Sequence, residues 1–554
     1  MSFYDDASWL LIPSGIKEDV VYAQKPTSGL GDLTMTRASD ATYTDSTGVV
    51  RRSPYNLASW SEMFSDASWS KTGITVTPNV ALAPNGTMTA DRIQFSSSNR
   101  ALTQTTSLGT GVVCTSSFYV LGTAGETLLF AAGGLDQLVT LTGSWQRIST
   151  TKTSINSTIN VSTFGGATAR DIFLWGAQLV EGTSALDYFP TTNRQDVPRI
   201  DFRNADGTLS SCGRLLLEPQ RTNSIRNSTM VGAVAGSPGT LPTNWAGGGF
   251  ANLTQTIVGL GTENGLQYID LRFNGTAVGT IVRIFSESTT QITASNGQTW
   301  SSSVYIKRIS GTFDSCAIGH ALRGIGGSGL GVQTATVSVT TSLARYATTQ
   351  TVNNASTLSV QPLVDFNVTS GATYDFTIRI AAPQMELGAY ATTWVPTTTA
   401  AVTRIADTAS KTGVSSLIGQ TAGTIFADLS YIATSTASAR WFNVFGTTQH
   451  IALASNGINQ IRVITNGLTD TLSTAPTSNT GIKIAFAYNN SGVVCFINGT
   501  QYTLTNGGGQ VMTSLTSIAF DLSLATGVVE AKINQAALIK TRLTNAQLAQ
   551  LTTL

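Results

Sequence analysis

Carboxylates are the residues of this sequence that could carry out hydrolytic chemistry. Two carboxylates flanking a glycosidic bond supply the acid and the base or nucleophile of a glycosidase. The acids in or beside predicted strands are Asp91, Asp171, Glu181, Asp270 and Glu386. Glu181 and Glu386 stand near the same place in two similar segments, but one residue out of register, and one step along a strand reverses its face. We therefore predict structural roles for these acids and no catalytic residue.

Metal-binding and nucleophilic sites are also not predicted. His320 and His450 are the only histidines, and neither has an acidic neighbour at ligand spacing. No GxSxG, P-loop or HExxH motif occurs. Calcium would need an acidic loop, and the nearest candidate is the sparse stretch Asp40 to Asp45. We expect no metal and no cofactor.

Tryptophans are candidates for sugar contact, because sugar rings stack their apolar faces on aromatic side chains. Sandwich cores also use tryptophan freely, so we predict a core or interface position for each of them. Strand alternation puts Trp175 on the face opposite Ile172 and Leu174, away from the core. Trp175 and Trp441 are taken as the candidate glycan contacts. The tryptophans weighed are Trp60, Trp69, Trp175, Trp245, Trp300, Trp394 and Trp441.

Composition limits the class of protein. A chain of 554 residues is too long for one core and predicts three to four domains. Only 11% of the residues are charged and the net charge is +1, so no nucleic acid or membrane partner is expected. No apolar run reaches spanning length, and the acidic start lacks the pattern of a signal peptide, so synthesis in the cytoplasm is expected. The four scattered cysteines are predicted to be buried free thiols.

The sequence contains the same module twice. The stretch 177–182 followed by 188–192 returns at an offset of 206 as 383–388 followed by 394–398. Upstream, 116–120 matches 302–306, and Asn56 corresponds loosely to Asn223. A repeat of this length is a duplicated domain, and the offset grows where loops lengthen. Alternating apolar residues predict strands in both copies.

The resulting organisation has five parts. Residues 1–50 carry too few apolar side chains to fold alone, so we expect them to pack on something else and to serve attachment or trimerisation. The first module spans 51–195, a connector 196–222 and the second module 223–400. Residues 410–554 contain alternating strands, the hairpin turn Asn498-Gly499, and a terminal helix with Thr544 as N-cap and Gln547 as its capping-box partner. The fold class predicted is all-β: tandem jelly-roll sandwiches, a C-terminal sandwich and one short helix.

Two resemblances extend these predictions. The strand Gly423 to Leu429, the Asn498-Gly499 hairpin and the closing 542–548 resemble the laminin-G-like, concanavalin-type lectin sandwich. The strings 12–15, 36–42, 197–202, 215–223 and 227–230, with the stretch 236–245, resemble bacteriophage head-spike or fibre proteins. The opening segment is especially similar to proteins of crAss-like phages. These resemblances imply carbohydrate-binding-type jelly rolls on a trimeric virion appendage.

The function expected is therefore structural and adhesive. The chain would form a homotrimeric head fibre or spike in the virion, bind other capsid or tail proteins through its N-terminal segment, and display modules for host-surface glycans. Three alternatives stay open: a tail fibre, a capsid decoration protein without a receptor, and a glycan-degrading tailspike enzyme. The β-helix repeats that commonly form a tailspike body are missing, so we expect no enzyme.

Overall fold

The computed structural model describes residues 3–37, 39–53, 56–163, 169–182, 184–185, 188–192, 197–204, 206–433, 438–456, 461–465, 468–472, 481–504, 512–521 and 529–553. The predicted boundary between the first module and the connector, at 195–196, lies outside these residues. The chain divides into two units. The larger unit is Met1–Val50 with Pro198–Leu554, and the smaller unit is Arg51–Val197.

The described residues form an all-β protein, as predicted. The opening segment and the first module contain α1 Phe3–Asp6, β1 Ala7–Leu11, β2 Ile16–Lys17, β3 Val20–Val21, β4 Leu33–Thr36, β5 Ala41–Thr44, β6 Val50–Ser53, β7 Ser70–Thr72, β8 Ile74–Ala81, β9 Ala90–Phe95, β10 Ala101–Thr105, β11 Val113–Leu121, β12 Thr127–Ala132, β13 Leu135–Thr140, β14 Gln146–Thr153, β15 Thr158–Ser162 and β16 Arg170–Glu181.

The connector and the second module continue the β-structure. Their elements are β17 Ile200–Arg203, β18 Leu209–Leu217, β19 Arg221–Asn223, β20 Ala246–Phe250, β21 Thr254–Glu263, β22 Leu266–Thr276, β23 Ile281–Phe285, β24 Ile292–Thr293, β25 Thr299–Ser310, β26 Ser315–Arg323, a 3-10 turn Ile325–Gly327, β27 Gly329–Val337, β28 Ala344–Thr351, β29 Ser359–Asn367 and β30 Thr373–Leu387.

The C-terminal part ends in the predicted helix. Its elements are β31 Val402–Arg404, β32 Thr408–Lys411, a 3-10 turn Ser415–Leu417, β33 Gly423–Ala433, β34 Ser438–Gly446, β35 His450–Asn456, β36 Ile461–Thr465, β37 Leu468–Leu472, β38 Gly481–Asn489, β39 Gly492–Ile497, β40 Thr500–Tyr502, β41 Leu515–Asp521, β42 Val529–Ile539 and α2 Asn545–Thr553.

The two modules have the same strand order. The sheets of the first are β13-β12-β15-β10-β7 and β14-β11-β16-β9-β8. Those of the second are β27-β26-β29-β23-β20, with β24 added on β29, and β28-β25-β30-β22-β21. Each strand of one module therefore has a counterpart in the other, and the partner strands pair antiparallel. In both modules the core lies between the two sheets.

The C-terminal sandwich is assembled from three separate stretches of chain. One sheet has the order β17-β18-β42-β33-β38-β39-β40, with β1 also on β42. The other has the order β2-β3-β4-β32-β41-β34-β35-β36-β37. Strands of the opening segment and of the connector thus complete the two sheets, and Trp9, Leu33 and Leu215 share one core with Phe442 and Ile533.

The opening segment packs on this sandwich because its few apolar side chains alternate. In β4 the pattern is buried, exposed, buried, exposed, with Leu33 and Met35 inward. The Trp9 indole donates to the Gly31 carbonyl at 2.8 Å. A Cβ at Gly31 would lie 2.5 Å from Trp9 Cδ1, so only glycine permits this approach. The opening segment therefore packs against the C-terminal sandwich of its own chain.

Two local predictions are confirmed, and a third is wrong in part. Asn498 and Gly499 have φ of 46° and 81°, as a two-residue hairpin turn requires. Thr544 and Gln547 form the capping box: the Gln547 amide donates to Thr544 Oγ1 at 3.3 Å, and Thr544 N donates to Gln547 Oε1 at 2.9 Å. Three cysteines are buried free thiols, but Cys212 is exposed because it lies on the solvent-facing half of β18.

Candidate ligand-binding cleft

A cleft of about 260 Å³ opens in the larger unit, lined by the opening segment, the connector, the second module and the C-terminal sandwich. The β17–β18 hairpin contributes Asp201 and Arg203, and the second module contributes Tyr305 and Arg345. The sandwich contributes Glu530 and Lys532 from the start of β42. These two residues face the same side because alternate residues of a strand point the same way. Its volume approaches the roughly 300 Å³ of small ligand sites.

Asp201 and Lys532 form a fixed ion pair in the wall. Asp201 is buried and accepts hydrogen bonds from Thr44 N at 2.8 Å and Arg203 N at 3.1 Å. Lys532 Nζ donates to Asp201 Oδ2 at 2.8 Å and to the Arg203 carbonyl at 2.7 Å. These bonds use the polar groups of both residues, so the pair holds the β17–β18 hairpin on β42.

Glu530 differs from Asp201 because its carboxyl group has no hydrogen-bond partner among the described residues. It is 8% exposed, and its nearest charged atom is Lys532 Nζ, 3.9 Å from Oε1. Burial, only partly offset by the Lys532 ammonium, raises the pKa of Glu530 to about 7. Burial therefore favours the protonated form of this carboxyl group, whose oxygens have no hydrogen-bond partner among the described residues.

Tyr305 is at the centre of another part of the lining. The guanidinium groups of Arg203 and Arg345 each lie 6.0 Å from its ring centroid. Arg345 Nη2 donates to Ser303 Oγ at 2.8 Å, which sets its orientation. The first module repeats this arrangement: Arg147 lies 5.4 Å from the Tyr119 ring and donates to Ser117 Oγ at 3.0 Å.

A fully buried ion cluster supports the floor of the cleft. Arg37, Arg199 and Arg404 converge on Glu218 and Asp407, and all five side chains are inaccessible to solvent. Arg37–Asp407 is 2.8 Å, Arg199–Glu218 is 2.5 Å and Arg404–Glu218 is 3.0 Å. Burial disfavours the charged form of Glu218, but Arg404 and Arg199 outweigh it and lower its pKa.

The cluster fixes one residue that lines the cleft. Glu218 accepts hydrogen bonds from Thr393 N and Thr393 Oγ1, both at 2.6 Å. The three arginines come from the similar stretches 36–40, 198–201 and 403–407, which precede the first module, follow it and follow the second module. These three similar stretches, which lie at the ends of the modules, therefore meet at one point of the larger unit.

The two candidate glycan-contact tryptophans are both buried. Trp441 is 0% exposed in the sandwich core, 4.3 Å from the Tyr431 ring, and so presents no face to a sugar. Trp175 is 4% exposed. It lies on the non-core face, as predicted, but packs with Tyr119 and Tyr188 and donates to Thr89 Oγ1 at 3.0 Å.

The acids chosen from the sequence are held by neighbouring groups. Asp91 accepts from the Phe64 and Asn79 amides, and Glu386 from Thr392 N. Ion pairs hold the other three, with partners Arg92 for Asp171, Arg52 for Glu181 and Arg379 for Asp270.

The register shift between Glu181 and Glu386 is real. Glu181 pairs with Cys114, whereas its counterpart in the second module is Leu387, which pairs with Trp300.

The histidines contribute no metal site in the described residues. Burial lowers the pKa of His320 to about 4, so its imidazole is neutral at physiological pH. No group of three or more histidine, cysteine, aspartate or glutamate side chains in the described ranges could hold a metal ion. The helices found in those ranges are also too short and too polar to cross a membrane.

Sequence reasoning did not select the residues that line the cleft. Arg203, Arg345, Glu530 and Lys532 come from parts of the chain up to 329 residues apart, and only the fold brings them together. One available signal was the matched pair Arg147 and Arg345, which lie at the second position of the equivalent strands β14 and β28.

Comparison with known proteins gives similarity of fold only. No family model and no curated protein matches the sequence. A tandem of two CBM22 domains from Paenibacillus barcinonensis Xyn10C is 14% identical, covering 63% of this chain and 100% of that one, with a TM-score of 0.22. The tripod from the baseplate of bacteriophage Tuc2009 is 14% identical over 49% and 91%, also with a TM-score of 0.22.

Trypanosoma rangeli sialidase is 9% identical over 93% of this chain and 98% of that one, with a TM-score of 0.23. Scores this low carry no argument about function.

Proposed function

We propose that this chain is an adhesive structural protein of a bacteriophage virion and that its cleft binds a host-surface glycan. The observation that carries the proposal is the cleft itself. Tyr305, Arg203, Arg345 and Glu530 each present to one cavity a polar atom that has no hydrogen-bond partner among the described residues. Convergent polar groups in a concave site are what a polyhydroxylated ligand needs. The phage-like strings of the sequence support the virion assignment.

Binding without cleavage is the function we assign to the cleft. Asp201 and Glu530 are its closest carboxylates, and a glycosidase would need them on either side of the scissile bond. Lys532 Nζ lies 2.8 Å from Asp201 and 3.9 Å from Glu530, so an ammonium group stands between them. A glycan-degrading enzyme is the second candidate, favoured by the raised pKa of Glu530, because a general acid must hold its proton. Release of reducing ends from host polysaccharide would establish it.

Assembly and attachment are further parts of the proposal. The chain forms a homotrimeric head fibre or spike, with a tail fibre as the alternative, and residues 1–50 bind other virion proteins. Four apolar side chains of this segment remain exposed and support such a contact: Tyr4, Ile12, Tyr22 and Leu30. Sedimentation should give one species near three times 58.1 kDa. A stable monomer would contradict the trimer.

The glycan proposal is tested with the full-length protein and immobilised host-surface polysaccharide. Arg345→Ala should weaken saturable binding by about tenfold, since a hydrogen bond to a charged group contributes about 1.5–3 kcal/mol. Arg147→Ala is the matched control, because Arg147 packs on Tyr119 as Arg345 packs on Tyr305 and does not line the cleft. Equal binding by both variants would exclude the cleft, and no binding by the unmodified protein would exclude adhesion.

A further inference from the structure

The free polar groups of the cleft are mostly hydrogen-bond donors. Arg203 uses Nε and Nη1 on Thr44 and Gly207, and no described group accepts from its Nη2. Arg345 uses Nη2 on Ser303, and no described group accepts from Nη1. The Tyr305 hydroxyl likewise has no partner among the described residues. A ligand that satisfies these groups must be rich in acceptor oxygens.

Glu530 becomes another donor when it is protonated. It is more than nine-tenths buried, lines the cleft and has no hydrogen-bond partner among the described residues. Charged and titratable groups surround it in three parts of the chain, so its protonation responds to any added charge. Those groups are Lys532 on its own strand, Asp201, Arg214 and Glu218 in the connector, and Tyr390 and Arg404 after β30.

The net charge of the charged residues that line the cleft changes by one unit with that proton. Arg203, Arg345 and Lys532 carry three positive charges against the negative charges of Asp201 and Asp206. With Glu530 neutral, the cleft is therefore positive by one charge, and with Glu530 ionised it is neutral. A negative ligand consequently favours the protonated form, because a second negative charge in a partly desolvated site raises the cost of ionising Glu530.

We propose that the cleft selects an anionic sugar, that the guanidinium groups of Arg203 and Arg345 bind its acidic group, and that Glu530 binds in its protonated form as a hydrogen-bond donor. This inference rests on the proposed glycan-binding function. The oxygens of an acidic group can accept charge-assisted hydrogen bonds from Nη2 of Arg203 and Nη1 of Arg345, which no described group uses. Binding then takes up to one proton from solution.

The proton uptake has a defined direction. The pKa of Glu530 is raised to about 7, so the binding-competent form predominates below that pH and is lost above it. The affinity for an anionic sugar should fall by about tenfold per pH unit above pH 7, the slope expected for one linked proton. The acidic group of the sugar is ionised throughout this range and contributes no slope of its own.

The experiment uses ligand-observed NMR titration of the full-length protein with glucuronate, glucose 6-sulfate and glucose, from about pH 6 to about pH 9. At the lower pH an anionic sugar should bind at least about tenfold more tightly than glucose. Comparing the affinities for glucuronate and glucose 6-sulfate shows whether the cleft prefers a carboxylate or a sulfate ester. Glu530→Gln should abolish the pH dependence, whereas Arg147→Ala should change neither the affinity nor its pH dependence.

Each other outcome contradicts a defined part of the proposal. Equal, pH-independent affinity for glucose and both anionic sugars would overturn the inference and leave glycan binding intact. No binding of any sugar at any pH would overturn both. If circular dichroism shows that Glu530→Gln does not fold, two other measurements test the proposal. They are the pH dependence of the affinity of the unmodified protein and the loss of affinity in Arg345→Ala.

Discussion

Asn56 and Asn223 make the same four hydrogen bonds in the two modules. Each side-chain amide donates to two main-chain carbonyls, and each side-chain oxygen accepts from two main-chain amides, at 2.9–3.3 Å. The carbonyl partners are those of Ala177 and Phe189 in the first module and of Pro383 and Val395 in the second. The duplicated feature is therefore a set of hydrogen bonds, called the joint below, that ties the first residues of a module to its last strand and the segment after it.

Removing this joint should destabilise the second module strongly. Asn223→Ala leaves four buried main-chain groups without partners, and each such group costs about 1–3 kcal/mol. We expect a loss of at least about 3 kcal/mol, measured by native-state hydrogen exchange of peptides from residues 223–400. Asn353→Ala, in an exposed loop, is the control and should change stability by less than about 0.5 kcal/mol. Equal protection in the two variants would show that the joint is dispensable.

The β-bulge at equivalent positions of the modules gives a second prediction. Gly176 has φ of 63° in the first module, but the second module has Ala382 there, with φ of 48°. A left-handed backbone costs a residue with a Cβ about 1–2 kcal/mol, more than the added chain entropy of glycine. Ala382→Gly should therefore stabilise the second module by about 0.5 kcal/mol.

The neighbouring position supplies the control with the opposite sign. Ala381 lies in the extended part of β30, so Ala381→Gly should destabilise the module by about 1 kcal/mol. In the first module Gly176→Ala should also destabilise, because the new Cβ would lie 3.0 Å from Tyr119 Cδ2. Thermal melts of the three variants measure these signs. A destabilising effect of Ala382→Gly would refute the strain argument.

Local patterns in the sequence predicted what local physics determines. The capping box at Thr544, the Asn498-Gly499 turn and the alternation of Ile172 and Leu174 depend on neighbours within a few residues. The duplication was visible in the sequence because both modules need the same side chains to form the joint. The loose match of Asn56 with Asn223 could be recognised as real only from their hydrogen bonds.

Contacts between distant stretches could not be predicted in the same way. The pairing of Ala7–Leu11 with Val529–Ile539 depends on the whole sandwich, and nothing near Trp441 in the sequence indicates its full burial. Glu530 was not selected because an isolated glutamate at the start of a strand has no distinctive pattern. Its importance arises from burial beside a cavity that four parts of the chain enclose.

The buried ion cluster gives a third prediction. Asp407→Asn leaves the guanidinium groups of Arg37 and Arg199 without their shared counter-charge in the interior, and breaking such a buried pair costs about 3–5 kcal/mol. Asp375→Asn removes an exposed partner of Arg272 and should have a far smaller effect. Urea unfolding of the two variants, followed by hydrogen exchange in β4, β18 and β32, makes the comparison.

A double variant separates charge from packing in this cluster. Arg37→Met combined with Asp407→Asn removes one of the stranded cations, so it should be less destabilised than Asp407→Asn alone. The Arg37→Met single variant completes the cycle. If the loss of unfolding free energy in the double variant equals the sum of the losses in the two single variants, the cluster contributes through shape rather than charge.

The pH dependence of stability tests the state of Glu530 without any ligand. Its pKa is raised from 4.5 to about 7 in the folded chain, so the folded state holds the proton more tightly than the unfolded state. The stability that this provides is fully present below pH 4.5 and is lost as the pH rises through about 7. Glu530→Gln removes the titration, so the variant should match the unmodified protein near the acidic end and exceed its stability by about 1–3 kcal/mol above pH 8. Melting temperatures across the pH range measure this difference. A constant offset between the two proteins would mean that Glu530 is ionised throughout, and the cleft would then lack the proton-dependent donor.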